Sequence, residues 1–207
     1  TGYANHDRGE DVLICFNHMQ HEGVSANIVT FIYVLKACGS IGAGNQGSDI
    51  HAQIYKKGLL VGDIMIENAL IYMYAKCGML ERALDVLEKL PMRDTISWTS
   101  LIAGYTDLGD SEIVLEIFER MIGEGIKPDS ITLVGILNAC SHEGLLSEGQ
   151  IYLQAFVHGF GLQPIMDHYT CIIDLFGRAG QIDNAVAMIM NMPLHPDVIV
   201  WQKILGA

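Results

Sequence analysis

Cysteine and histidine are the side chains best equipped for chemistry in this chain, and their spacing argues against a reactive or metal centre. The five cysteines, Cys15, Cys38, Cys77, Cys140 and Cys171, form no CxxC and do not cluster. Neither a disulfide framework nor a zinc site is implied. The eight histidines include no HExxH, no HxE followed by CxxC, and no pair at i, i+4 backed by carboxylates. A zinc deaminase centre needs HxE and CxxC together. No catalytic residue, metal or cofactor is therefore expected within these residues.

The elements around those residues are set by composition and repetition. Half of the 207 residues are hydrophobic, enough to bury a core as one domain or as a repeat array. No run of 18 apolar residues is present, so no membrane span is expected. A formal charge of −12, from 24 acids against 12 bases, argues against nucleic-acid or anionic-membrane binding driven by charge alone. The chain opens inside a pattern at TGYANHDRGEDVL and stops inside one at WQKILGA, as an excised piece would. A targeting segment would then lie outside it.

The chain writes the same phrases twice. A shift of 102 residues lays VTFIYVLKAC (Val29 to Cys38) on ITLVGILNAC (Ile131 to Cys140). The same shift lays ENALIYMYAKCGMLERALDVL (Glu67 to Leu87) on YTCIIDLFGRAGQIDNAVAMI (Tyr169 to Ile189). A fixed period marks a repeat architecture, and smaller units are visible inside the large one. Each reads as a helical hairpin. In SLIAGYTDLGDSEIVLEIFERMIGEGIKPD an apolar helix, a Leu-Gly-Asp break and an amphipathic helix follow in turn, with Val114, Leu115, Ile117, Phe118 and Met121 inward. Gly125 and Pro128 stop it. The β-branched start TISWTSLI is compatible with a strand, but it shows no alternation, so a helix is expected.

Stop signals divide the chain into residues 1–27, 28–63, 64–94, 95–129, 130–165 and 166–197, with 198–207 opening another unit. The five full units have 36, 31, 35, 36 and 32 residues, so standard, long and short lengths cycle in order. With that cycle, the phrases NALIYMYAKCGMLERALDVLEKLPMRD, ITLVGILNACSHEGLLSEG and HYTCIIDLFGRAGQIDNAVAMIMNMPLHPD resemble the PLS class of pentatricopeptide repeat proteins of land plants. VIVWQKILGA is similar to the start of the E-type motif that follows such repeats in RNA-editing factors. The resemblance implies an all-α, right-handed superhelical solenoid of helix-turn-helix repeats whose first helices line a surface for single-stranded RNA. On that scheme 1–27 is a partial standard repeat, 28–63 and 130–165 are long, 64–94 and 166–197 short, and 95–129 standard.

The resemblance also implies a base code that pairs the fifth residue of a repeat with its last. Residues Asn68 with Asp94 form a pair favouring U; Thr99 with Asp129, and Thr170 with Asp197, form pairs favouring G. An amide or hydroxyl can reach a Watson–Crick edge, and a carboxylate can orient it. Aspartate is also common in turns, which is the plainer explanation for Asp94, Asp129 and Asp197. Met65 and Ile96 would pack on bases, while Asp167 stands in the corresponding place of 166–197. Lys76 and Arg178 close first helices at matching places within reach of phosphates; Asp107 takes that place in 95–129. Cys38 and Cys140 are equivalent positions, expected to be small buried residues.

The long units depart from the code: Ile32 with Asp63, and Val134 with Ile165, put apolar side chains where a base reader would stand. By resemblance, Ile32, Val134 and Ile165 are available to protein partners such as organellar editing-factor proteins. The implied partners are thus single-stranded organellar RNA, those proteins, and a deaminase domain in cis or in trans; the implied location is a mitochondrion or chloroplast. A protein-binding adaptor similar to tetratricopeptide arrays is the competing class. The unequal lengths and the aspartates at repeat ends favour RNA over it.

Overall fold

The structure is a computed structural model that describes residues 2–60, 63–193 and 200–201, with side chains from residue 8 onward. Among them lie eleven α-helices and no strand: α1 (Gly2–His21), α2 (Ile28–Ile41), α3 (Gly44–Lys56), α4 (Ile64–Lys76), α5 (Leu80–Lys89), α6 (Thr95–Leu108), α7 (Ser111–Gly123), α8 (Ser130–Glu143), α9 (Leu146–Gly159), α10 (Met166–Arg178) and α11 (Ile182–Asn191). Two compact units divide the chain between Gly104 and Tyr105. In the first, α2 packs on α1, α3 and α4, and α4 packs on α5. In the second, α8 packs on α7, α9 and α10, and α10 on α11. Residues 194–199 and 202–207 lie outside the description, and with them Asp197 and most of the stretch read as an E-type start.

The two helices of a hairpin are built differently. On α4, Ile66, Leu70, Ile71, Met73, Tyr74 and Ala75 are all buried, because neighbours cover it on several sides. On α5 only Ala83 and Leu87 are buried; Leu80, Leu84 and Val86 are half-buried, and the charged Glu81, Arg82, Asp85, Glu88 and Lys89 are exposed. A helix enclosed by neighbours reads as apolar nearly all round, whereas an outer helix carries one apolar stripe. On α7, Val114, Ile117, Phe118 and Met121 are buried as expected, and Leu115 is only half-buried. Glu112, Glu116 and Glu119 are exposed.

The repeated Ala-Cys phrase has a local cause. Four residues after each cysteine comes a glycine, Gly42 (φ 72°) or Gly144 (φ 68°), that ends the helix in the left-handed region. A side chain there would be strained, and the glycine N–H donates to the carbonyl of Cys38 or Cys140. Both thiols are fully buried, and desolvation pushes each up to about 11. They are inert packing groups.

Neighbouring helices approach closely at Gly104. A Cβ built there would stand 2.4 Å from the Cβ of Ala75 and 3.0 Å from its Cα. Alanine is the better helix former by about 1 kcal/mol, but the obstruction is the Cβ and backbone of Ala75, neither of which can swing away. Gly104→Ala should therefore destabilise the protein by about 1–3 kcal/mol, the scale of overpacking. Urea unfolding checks this; a stabilised variant would show that α4 and α6 can separate freely.

Candidate nucleic-acid interface

At four junctions the residue that ends a unit caps the next first helix. Asn27 accepts from the Thr30 N–H at 2.9 Å, Asp63 from Met65 at 3.0 Å, Asp94 from Ser97 at 2.8 Å and Asp129 from Thr132 at 2.8 Å. Each satisfies an N–H that the helix itself cannot. Thr132 returns the bond, its hydroxyl accepting from the Asp129 N–H at 3.3 Å, and Ser97 does the same for Asp94. Before α10 stands Ile165, exposed and with no acceptor of its own. Buried His168 substitutes: its Nδ1 accepts from the Ile165 N–H at 3.0 Å, and its Nε2 lies 2.8 Å from the Ser130 carbonyl. Those two partners call for the neutral tautomer with the proton on Nε2.

Asp94 does more than cap. The Asn68 amide donates from Nδ2 to its two carboxylate oxygens, at 3.1 and 3.3 Å. The Ser97 hydroxyl lies 2.6 Å from Asn68 Oδ1 and 2.9 Å from Asp94 Oδ1, with one proton to donate. The reversed amide would set oxygen against carboxylate, so the partners decide its orientation. One amide N–H and one carbonyl lone pair remain uncommitted on a side chain that is only 7% exposed.

That edge lines a groove of about 480 Å³ across the first helices of the first unit. Met65, 65% exposed, and Ile96, 60% exposed, line the same groove. An exposed large apolar side chain on an otherwise enclosed helix is the informative kind of exposure. Ile32, half-buried, lines it too, so α2 contributes to the surface that holds Asn68 and not to a separate one. Lys36, Tyr72 and Ser100 stand one turn beyond Ile32, Asn68 and Ile96 on their respective helices. None of these three was singled out from sequence; their i, i+4 spacing from the chosen residues was the available signal.

The other candidates are placed less alike. Thr99 is buried on α6, and Asp129 caps α8 in the second unit. Thr170 is half-buried, its hydroxyl donating back to the Met166 carbonyl at 3.0 Å, and its partner position Asp197 lies outside the described residues. Lys76 closes α4, exposed but not lining the groove. Arg178 closes α10 and donates from Nε to Asp174 at 3.0 Å. Asp174 also accepts from the buried Ser141 hydroxyl at 2.7 Å. Val134 is half-buried on α8. Among the described residues no group of three or more His, Cys, Asp or Glu could hold a metal, and no helix is long and apolar enough to cross a membrane.

Enclosed first helices joined by capping residues, with outer second helices, define a helical-repeat array. The chain belongs to the pentatricopeptide repeat family. A model of the PPR repeat family matches residues 93–142, and a model of the PPR repeat matches 68–94 and 167–195. A mitochondrial pentatricopeptide repeat-containing protein of Arabidopsis thaliana is 40% identical over 206 residues, covering 100% of this chain and 32% of that protein. A putative mitochondrial relative from the same plant is 38% identical over 207 residues, covering 100% and 33%. The chain thus spans about a third of the length of these relatives. Among solved structures, maize PPR10 in complex with an 18-nucleotide psaJ RNA element has a TM-score of 0.72 at 21% identity, over 93% of this chain and 27% of that one. The PPR domain of Arabidopsis thaliana protein-only RNase P 1 in complex with tRNA gives 0.62 at 13% identity, over 83% and 93%. At such identities these two likenesses show the fold.

The shared carboxylate yields a stability test. Asp94→Ala should destabilise the protein by about 0.5–2 kcal/mol, the loss of an N-cap, while Asp94→Asn should cost only a few tenths. Equal costs in urea unfolding would mean that α6 does not depend on this cap.

Proposed function

We propose that this chain binds single-stranded RNA, one base per repeat, as the recognition segment of an organellar C-to-U RNA-editing factor. The observation that carries the reading is the Asn68 amide, fixed by Asp94 and Ser97, in a groove where exposed Met65 and Ile96 stand ready to pack on a base. The uncommitted donor and acceptor of that amide complement the Watson–Crick edge of uracil, which offers an N–H and a carbonyl oxygen. Stacking on apolar side chains tolerates any base, so base choice falls to the amide.

Family resemblance extends the same roles to Thr99 with Asp129 and Thr170 with Asp197, reading G. The binding of RNA by PPR10 and of tRNA by the protein-only RNase P domain supports RNA as the ligand class. The finer reading rests on the 31, 35 and 36 length cycle. That cycle supports the PLS class, the E-type motif from residue 198, and protein partners on the long units. Relatives named mitochondrial support an organellar location, mitochondrion or chloroplast. Deamination would belong to a domain in cis or in trans, since this sequence carries no HxE with CxxC.

Changing Asn68→Thr recreates the fifth-residue chemistry of Thr99 beside the same aspartate. Preference at the one nucleotide facing 64–94 should move from U towards G. Affinity for the original RNA should fall by about 1–3 kcal/mol, the scale of one mismatched contact. Binding to four RNAs differing only at that nucleotide decides it. Equal weakening on all four would make Asn68 a packing residue and sink the register.

A further inference from the structure

We propose that Lys36, on the first helix of 28–63, contacts the backbone phosphate of the nucleotide held at Asn68. The inference rests on the RNA reading above and adds a contact that this reading does not contain. It gives an RNA-binding role to a unit whose fifth residue, Ile32, cannot read a base.

The groove has two tiers. Ile32, Met65, Asn68 and Ile96 form one, and Lys36, Tyr72 and Ser100 form the other, one helical turn further on. Lys36 is exposed and is the only cation among the lining residues; Asp94 is the only carboxylate. Asp94 is already occupied by the Asn68 amide, the Ser97 N–H and the Ser97 hydroxyl. No hydrogen bond or ion pair engages Lys36 among the described residues. Its ammonium is therefore available, on a four-carbon stem that lets the charge travel towards solvent while the methylenes stay on the apolar wall.

The ligand chemistry follows from what the rest of the groove takes. With a base packed on Met65 and Ile96 and its edge on Asn68, the sugar and phosphate remain to be met. A compact, rotatable ammonium suits a phosphate oxygen better than a base edge, which calls for fixed donors and acceptors. A single cation also matters more in a chain of net charge −12, whose overall field opposes RNA. The second unit lacks the arrangement. The 102-residue shift puts Asn138 at the place of Lys36 and Asp174 at that of Tyr72. Cys171 and Ser141 hydrogen-bond to these two side chains.

The test compares the 207-residue chain with Lys36→Met and Lys36→Arg, using the same four single-stranded RNAs across a salt series. A control, Lys56→Met, removes an equal charge from α3, away from the groove residues. Lys36→Met should weaken all four RNAs by the same factor. It should also flatten the dependence of log affinity on log salt by about 0.7, the value for one neutralised phosphate on a single strand. Lys36→Arg should restore the slope, and Lys56→Met should leave it unchanged. An unchanged slope in Lys36→Met, beside a wild type that still distinguishes the four RNAs, overturns this inference alone. Weakening confined to one base makes Lys36 a base reader and likewise overturns it. An equal loss of slope in Lys56→Met reduces the effect to overall charge and overturns it too. A wild type that binds none of the four RNAs overturns the RNA reading, and this inference with it.

Discussion

A carboxylate at the junction between repeats carries most of what this structure does. The N–H groups in the first turn of each first helix have no partner within the helix and need other acceptors. Asp63, Asp94 and Asp129 supply them, and Asn27 does the same at α2. The cap sets where each first helix begins and hence which residues fall on its open face. At α6 the same carboxylate also receives the Asn68 amide from the helix before. One side chain thus ties the end of a repeat, the start of the next and the orientation of a polar group in the groove. At Asp94 one geometry provides the structural cap and leaves room for the base-reading role proposed above.

Repeat equivalence makes the chemistry of the two units directly comparable. Gly39, Tyr72 and Lys76 of the first unit correspond to Ser141, Asp174 and Arg178 of the second. In the first, a Cβ at Gly39 would stand 3.1 Å from the Tyr72 ring, so the missing side chain makes room for an aromatic group at the groove. In the second, a serine and an arginine close on a nearly buried carboxylate. Breaking such a hydrogen-bonded group from one side leaves a charge without compensation, so it holds α8, α10 and the end of α10 in fixed relation. The backbone pattern is common to both, and the polar investment differs.

Much of this was legible in the sequence. The amphipathic stripe of α7 and the glycines after Cys38 and Cys140 are local signals, and local signals survive into structure. The fifth-residue positions came from resemblance; in the structure Asn68 is hydrogen-bonded to Asp94 and Ser97. Three features were hidden for physical reasons. Ser97 is one polar residue in an apolar run, and its role depends on a helix 29 residues away. Nothing in the local sequence marks His168 as the group that replaces the cap Ile165 cannot provide. Lys36 carries no local signal either, because no spacing within α2 reveals what stands across the groove.

The central claim is that the groove on α2, α4 and the start of α6 is where RNA lies. Photocrosslinking with a single-stranded RNA carrying one 4-thiouridine, followed by peptide mapping, addresses it without any mutation. The account predicts crosslinks within 64–76 and 95–104, around Met65, Asn68, Tyr72 and Ile96. Crosslinks concentrated on the outer helices α3 and α5 instead would contradict it.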